Sequence, residues 1–140
     1  MEIRVLLVED NPGDVRLTQE ALQEINTSCS LELASNGEKA LEYLHGGFQS
    51  SPRHLPDIIL LDLNLPRMNG HEVLRELKTN PLFKTIPVII LSASKSKEDI
   101  NRAYLAGANA YLVKPLDIDS YFESMKALEN FWIRHVVRMR

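Results

Sequence analysis

The residues Asp57-Ile-Ile-Leu-Leu-Asp62-Leu-Asn-Leu-Pro66-Arg-Met-Asn-Gly70 decide the fold of this chain. Residues 58–61 are apolar without interruption, and such a short run is typical of a strand buried on both faces of a parallel sheet. Pro66 and the pair Asn69-Gly70 then end the strand and lead into a helix. Asp62 is therefore predicted at the carboxyl end of a central strand, the edge at which open α/β sheets bind ligands. An isolated Asp there is most simply a solvated residue, so its role depends on what else lies at this edge.

The rest of the chain alternates between strands and helices. Residues 45–56, rich in Gly, Pro and Ser, are predicted to form a long loop. Five alternations predict one parallel sheet covered by helices on both faces. Further strands are predicted over residues 3–8, 31–34, 87–91 and 109–113, and helices begin near residues 12, 40, 70, 97 and 118.

Length and composition narrow the class of protein. With 140 residues the chain suits one domain with a substantial core. A net charge of −3 gives no bias towards nucleic acid or an anionic membrane, and the basic residues near the C-terminus are explained by the end of a helix. The single cysteine, Cys29, excludes an internal disulfide bond and a cysteine-based metal cluster. With neither a signal peptide nor an apolar stretch of membrane-spanning length, a cytoplasmic location is expected.

Polar residues follow four of the five predicted strands. They are Glu9 and Asp10 after the first, Asp62 after the third, Ser92 after the fourth and Lys114 after the fifth. Because the carboxyl ends of parallel strands share one edge, these side chains are expected to converge. Converging carboxylates repel one another, and a divalent cation such as Mg²⁺, which prefers oxygen ligands, relieves the repulsion.

An ammonium group and a hydroxyl at the same edge are not needed for a metal site alone. Lys114 and Ser92 suit an anion with several oxygens, and a phosphoryl group on Asp62 fits because carboxylates act as nucleophiles in phosphoryl transfer. Chance placement of a polar residue would explain any one of these positions. It does not explain all five at the correct strand ends.

These motifs resemble the receiver domains of bacterial two-component response regulators. The resemblance implies a flavodoxin-like (CheY-like) three-layer α/β fold, with five parallel strands in the order 2-1-3-4-5 and five helices. It also implies one receiver domain over residues 1–140, without an output domain, that works as a signalling protein and not as an enzyme. The motifs are Val8-Glu-Asp-Asn11, Leu61-Asp62 with Leu65-Pro66 and Asn69-Gly70, Leu91-Ser92-Ala93, and Val113-Lys114-Pro115.

The resemblance also implies a role for each residue that handles the phosphoryl group. Asp62 is the phospho-acceptor, and Lys114 contacts the phosphoryl group and precedes a cis Pro115. Ser92 and Tyr111 are the switch residues. The family more commonly has Thr at the position of Ser92, but either residue offers a hydroxyl group.

A metal site and a partner are implied in the same way. Mg²⁺ is held by Asp10, Asp62 and the backbone carbonyl of Asn64, with Glu9 acting through a water molecule. The Glu9-Asp-Asn-Pro-Gly-Asp14 stretch, the loop at 45–56 and the aromatic-rich last helix are similar to the single-domain regulators of cyanobacterial phytochromes. A histidine kinase, and specifically a phytochrome, is therefore the expected partner.

The last helix has more apolar surface than one inward face needs. Phe131 falls outside the predicted inward stripe, with Leu128 between. Because exposed aromatic surface beside an edge strand is typical of an interface, a homodimer through Phe131 and Leu128 is predicted. The alternative is a monomer in which Phe131 folds onto its own loop. The inward stripe is predicted as Ile118, Phe122, Met125, Trp132 and Val136, with Tyr121 and Met139 at its margin.

Two other classes of protein share parts of this pattern. A phosphatase of the haloacid dehalogenase type also uses an Asp nucleophile with Mg²⁺, but that Asp follows the first strand and a second Asp lies two residues later, where this chain has Asn64. A flavodoxin-like FMN-binding protein needs a neutral phosphate-binding loop after the first strand. Here that loop contains Glu9, Asp10 and Asp14.

Overall fold

Five strands and five helices alternate along the chain in the computed structural model, which describes residues 3–24, 29–128 and 130–131. The strands are β1 (Ile3–Val8), β2 (Cys29–Ala34), β3 (Ile58–Asp62), β4 (Val88–Ser92) and β5 (Ala110–Val113). The helices are α1 (Pro12–Gln23), α2 (Gly37–Gln49), α3 (Gly70–Thr79), α4 (Lys97–Leu105) and α5 (Ile118–Leu128). Trp132, Val136, Met139 and the basic C-terminal residues Arg134, His135, Arg138 and Arg140 lie outside the described residues. Within the described ranges, no helix is both long and apolar enough to span a bilayer.

The strands form one parallel sheet in the order β2-β1-β3-β4-β5, which confirms the predicted fold. Its register aligns the strand ends that matter for the site: Val8 pairs with Leu61 and Asp62 with Leu91, while Ser92 pairs with Val113. Every residue of β3 and β4 is buried, as the uninterrupted apolar runs predicted. The sheet therefore delivers the residues after β1, β3, β4 and β5 to one edge.

The core has one layer on each face of the sheet. Alternate residues of a strand point to opposite faces, so Leu6 and Ile59 pack with α2, α3 and α4, whereas Val5 and Leu60 pack with α1 and α5. Two buried layers therefore hold the sheet between the helices, and the strands that carry the site residues rest on a packed core.

Helix α2 continues to Gln49, so the predicted loop at 45–56 begins five residues too early. Gly46 and Gly47 lie inside the helix. A Cβ atom on Gly47 would lie 2.0 Å from the carbonyl oxygen of His54, and the backbone N–H of His54 donates a hydrogen bond of 2.9 Å to the carbonyl of Gly47. Gly47 thus permits the close approach of the following segment and does not end the helix.

This packing predicts opposite effects on stability when each of the two adjacent glycines is replaced by Ala. Gly47→Ala should lower the free energy of unfolding by roughly 1–3 kcal/mol, because the new methyl group must displace backbone. Gly46→Ala, with nothing within 4 Å of its Cβ position, should raise it by up to about 1 kcal/mol through helix propensity. Urea denaturation of both variants measures the two changes. Shifts of the same sign and size would contradict this packing.

Helix α5 packs with a face that is rotated from the predicted one. Tyr121, placed at the margin, is only 3% exposed, whereas Ile118, placed in the stripe, is 56% exposed. The reason is polar: the hydroxyl groups of Tyr121 and Thr18 of α1 form a buried hydrogen bond, which apolar periodicity does not reveal. Leu128, predicted between core and interface, is buried in the core with Met125, while Phe131 is 59% exposed.

Candidate functional site

Three carboxylates meet at the carboxyl edge of the sheet. Oxygen atoms of Glu9, Asp10 and Asp62 all lie within 4.8 Å of one another. Glu9 and Asp62 are buried, and Asp10 is exposed at the mouth of an open cavity of about 360 Å³. A cluster of hard oxygen donors with an open side fits a divalent cation that keeps part of its water shell. These are three of the residues predicted for the metal site, and Asn64, the fourth, also lines the cavity.

Lys114 supplies the positive charge at this edge. Its Nζ atom lies 2.5 Å from Glu9 Oε1, 2.8 Å from Asp14 Oδ2 and 3.3 Å from Asp62 Oδ2. Burial alone would lower the pKa of Lys114, but hydrogen bonds with Asp14 and Glu9 and the charges of Glu9 and Asp62 raise it above the ordinary value. Lys114 is therefore a permanent cation held among carboxylates.

Asp14 is a member of the site that the sequence analysis did not assign. It lies in the first turn of α1, after the N-cap Asn11, whose side chain accepts a hydrogen bond from the backbone N–H of Asp14. A helix that begins three residues after Glu9 must start above the site edge. The short connection between β1 and Pro12 could therefore have predicted that Asp14 lies near the site.

Glu9 carries a raised pKa of about 7. The causes are burial first, then a hydrogen bond with Asp62 and the charge of Asp62, partly offset by Lys114. Near neutral pH, Glu9 is therefore divided between its protonated and ionised forms. An added cation would favour the ionised form and displace the proton.

The two predicted switch residues contact the same neighbour. Ser92 is fully buried at the end of β4, and its Oγ atom accepts a hydrogen bond of 3.1 Å from the backbone N–H of Ser94. The hydroxyl of Tyr111, on β5, donates a hydrogen bond of 3.0 Å to the carbonyl of Ser94. Ser94 thus links the end of β4 to the side chain of Tyr111 on β5.

Gly70 fixes the backbone beneath Asp62. A Cβ atom on Gly70 would lie 2.3 Å from the carbonyl oxygen of Asp62 and 2.4 Å from Cα of Leu63. The N–H of Gly70 donates a hydrogen bond of 2.9 Å to the carbonyl of Leu63. The first turn of α3 therefore packs directly on the end of β3, and the pair Asn69-Gly70 has a structural role beyond ending the strand.

The predicted cis peptide bond before Pro115 is wrong. Within the described ranges, the cis bond recorded is the one between Ser51 and Pro52. The trans isomer is intrinsically favoured for an X–Pro bond, and Lys114 reaches Glu9 and Asp62 without the cis form.

Comparison with known proteins agrees with this geometry. The family model of the response regulator receiver domain matches residues 5–126. Response regulator Rcp1 of Synechocystis sp. is 40% identical over 134 residues, which are 94% of this chain and 90% of Rcp1.

Two solved structures are similar over the whole chain. The phosphorylated cyanobacterial phytochrome response regulator RcpA superposes with a TM-score of 0.92, at 36% identity, covering 100% of both chains. The Mn²⁺-bound form of response regulator Rcp1 superposes with a TM-score of 0.90, at 36% identity, covering 99% of each chain. The similarity thus includes one protein that is phosphorylated and one that binds a divalent metal.

Proposed function

Because this chain belongs to the response regulator receiver family, we propose that it accepts a phosphoryl group on Asp62 in the presence of Mg²⁺. The observation that carries the proposal is the pairing of Asp62 with both an acidic cluster and a half-buried ammonium group. Incubation with acetyl phosphate and Mg²⁺, followed by intact mass measurement, tests it. One phosphoryl group per chain supports the proposal, and sustained release of phosphate without a phosphorylated protein would indicate a phosphatase instead.

The chemistry follows from the positions of the side chains. An oxygen of Asp62 forms a bond to phosphorus while the bond from phosphorus to the donor breaks, and the donor keeps the electron pair. Lys114, now 3.3 Å from Asp62 Oδ2, is close enough to contact an oxygen of the transferred group. The buried hydroxyl of Ser92 offers a further donor to that group once the segment after β4 adjusts. The reaction thus depends mainly on positioning and on charge stabilisation.

We propose Mg²⁺ as the cation, held by Asp10, Asp62 and the carbonyl of Asn64, with Glu9 acting through water. The donor set fits because, among the described residues, the cluster consists of carboxylate oxygen atoms. When bound, Mg²⁺ would neutralise charge on the carboxylates and on phosphoryl oxygens. Similarity to a protein that binds Mn²⁺ supports a divalent cation at this edge.

Mg²⁺ affinity should rise with pH up to about 7 and then level off, because the pKa of Glu9 is raised to about 7. Below that pH, binding must displace the Glu9 proton and should lose up to about tenfold in affinity per pH unit. Without Mg²⁺, the folded protein keeps this proton up to about pH 7, whereas the ordinary value is 4.5, so the contribution of Glu9 to stability falls as pH rises between these values.

Calorimetric Mg²⁺ titrations between pH 5.5 and 8 measure this dependence. The Glu9→Gln variant, which has no proton to lose at this position, is the control and should show a much flatter profile. Identical pH profiles for the wild type and Glu9→Gln would assign the proton release to another group.

We propose a histidine kinase as the phosphoryl donor, and a phytochrome as the kinase that uses this protein. The support is similarity to a cyanobacterial phytochrome response regulator over the full chain. Phosphotransfer from a purified phytochrome kinase, compared with unrelated histidine kinases at equal concentration, tests the pairing. Equal transfer from all of these kinases would contradict the assignment of a phytochrome as the partner, but it would still support a histidine kinase as the phosphoryl donor.

We also propose a homodimer through the surface around Phe131. Phe131 is 59% exposed at the rim of an apolar cavity of about 250 Å³ between α5 and the β5 edge of the sheet, with Leu112 and Leu128 in its lining. Aromatic side chains beside such cavities are frequent anchors of interfaces. The buried Leu128 supports this surface from below.

Sedimentation should detect this dimer at tens of micromolar, and Phe131→Ala should weaken it at least tenfold because an interface anchor is lost. Leu105→Ala, which removes another exposed apolar side chain (89% exposed) at the end of α4, is the matched control. A monomer at all concentrations, or an equal effect of the control, would contradict the proposal.

A further inference from the structure

We propose that His71 and Asp99 hold the segment after β4 in place through Ser94, and that His71 is thereby a positioning residue for phosphorylation of Asp62. The proposal rests on the proposed function, because it concerns the cost of rearranging Ser92 around a phosphoryl group. We refer to His71, Asp99 and Ser94 as the latch.

The latch joins three separate parts of the fold. His71 lies in the first turn of α3, Asp99 in the first turn of α4, and Ser94 in the segment between β4 and α4. Ser94 Oγ donates a hydrogen bond of 2.6 Å to Asp99 Oδ2, and His71 Nε2 lies 3.3 Å from Asp99 Oδ1. Both oxygens of one carboxylate are thus used to connect α3 with this segment.

Ser94 is held at each of its polar atoms. Its N–H donates to Ser92 Oγ, its carbonyl accepts from Tyr111, and its Oγ atom also accepts from the backbone N–H of Ser96. Because Ser94 follows Ser92 by two residues, a movement of Ser92 towards a group on Asp62 must carry Ser94 along. Such a movement must stretch or break the bonds of the latch.

Asp99 is well suited to anchor this arrangement. It lies in the first turn of α4, behind the N-cap Ser96, where the positive end of the helix favours an anion. Hydrogen bonds from Ser94 and His71 hold the pKa of Asp99 below its ordinary value. The bonds that Asp99 accepts are therefore charge-assisted, and these are stronger than bonds between neutral groups.

The environment of His71 indicates that its imidazole is needed for the hydrogen bond with Asp99. The side chain is only 9% exposed, and its Nδ1 atom is buried without a hydrogen-bond partner among the described residues. An apolar residue at this position would avoid the unfavourable burial of a polar atom. With Asp99 as an acceptor, Nε2 carries the hydrogen, and this bond to Asp99 is the contact that an apolar side chain cannot make.

The latch therefore stabilises the arrangement in which Ser94 is bonded to Asp99, and it opposes the rearrangement that phosphorylation requires. A contact made in only one of two conformations shifts the equilibrium towards that conformation. Removing His71 from the latch should thus favour the phosphorylated arrangement and leave the nucleophile, the cation ligands and Lys114 untouched.

Beryllofluoride, which mimics a phosphoryl group on a carboxylate, provides the equilibrium test with Mg²⁺ present. His71→Leu should bind it at least threefold more tightly than the wild type, and its acyl-phosphate should hydrolyse more slowly. His71→Gln, whose amide can donate to Asp99, should restore values close to the wild type. Ser94→Ala should act in the same direction as His71→Leu, and the double variant should add little because both changes break one chain of bonds.

The outcomes separate this proposal from the proposed function. If the wild type binds no beryllofluoride, the proposed function fails and the latch fails with it. If the wild type binds but His71→Leu binds equally or more weakly, only the latch is overturned. If His71→Leu does not unfold cooperatively, Ser94→Ala decides alone, and unchanged binding by that variant overturns the latch.

Discussion

Asp62→Asn should take up no phosphoryl group from acetyl phosphate under conditions that fully modify the wild type. The amide is not a nucleophile, and Asp62 is the proposed acceptor at the end of β3, where it lies in the acidic cluster and 3.3 Å from Lys114 Nζ. The fold should survive, because Asn has nearly the same shape and its amide oxygen can still accept the hydrogen bond that the N–H of Asn64 donates to Asp62. Intact mass measurement and thermal unfolding report the two effects separately.

Asp57→Asn is the matched control for this experiment. Asp57 is also a buried carboxylate beside β3, at the opposite end of the strand from Asp62, where one of its oxygens accepts a hydrogen bond from the backbone N–H of Arg4. This variant should be phosphorylated like the wild type, although it should be less stable. Equal phosphoryl uptake by Asp62→Asn and the wild type would contradict the assignment of Asp62 as the phosphoryl acceptor.

The second large effect is expected from Lys114→Ala. Phosphorylation should slow by about 100-fold or more, because a preorganised charge next to the transferred group is lost. Without Mg²⁺, the free energy of unfolding should also fall by roughly 3–5 kcal/mol, since Glu9 and Asp62 remain buried without the ammonium group. Mg²⁺ should restore much of that stability, and its affinity should stay equal or increase because Lys114 no longer competes for the same oxygens.

Lys126→Ala, which removes an exposed ammonium group from α5, controls for a general effect of charge. It should leave both the rate and the affinity for Mg²⁺ unchanged. A Lys114→Ala protein that loses Mg²⁺ binding but is phosphorylated at the normal rate would contradict the role given to Lys114.

The sequence was sufficient for the sheet and for most of the site because one geometric rule connects them. Uninterrupted apolar runs locate β3 and β4, and parallel strands bring the residues after them to a common edge. Glu9, Asp62 and Lys114 were predicted in this way, and the structure places Glu9 and Asp62 within hydrogen-bonding distance of Lys114. None of this required knowledge of side-chain packing.

What the sequence did not predict depends on contacts between distant elements. Asp14 joins the site only because α1 starts above the edge of the sheet. The orientation of α5 depends on the hydrogen bond between Tyr121 and Thr18, which is invisible to a pattern of apolar residues. The sequence suggests that Gly47 ends a helix, but Gly47 lies inside α2 and its lack of a side chain allows the backbone of His54 to approach closely. In each case a contact between residues distant in sequence determines the structure, and the local sequence pattern does not reveal that contact.

The charges at the site edge affect how another protein can recognise the phosphorylated form. Glu9, Asp14 and Asp62 contact the ammonium group of Lys114, and Asp10 lies beside Glu9 and Asp62. Before ligands arrive, the pocket is strongly anionic. Modification consumes the negative charge of Asp62 and adds a dianionic group, while the accompanying divalent cation contributes two positive charges. The modified pocket is therefore less negative than the unmodified one, although phosphorylation normally adds negative charge. The net charge of the pocket changes little and stays negative, so we expect a partner to distinguish the two forms mainly by the shape of the surface.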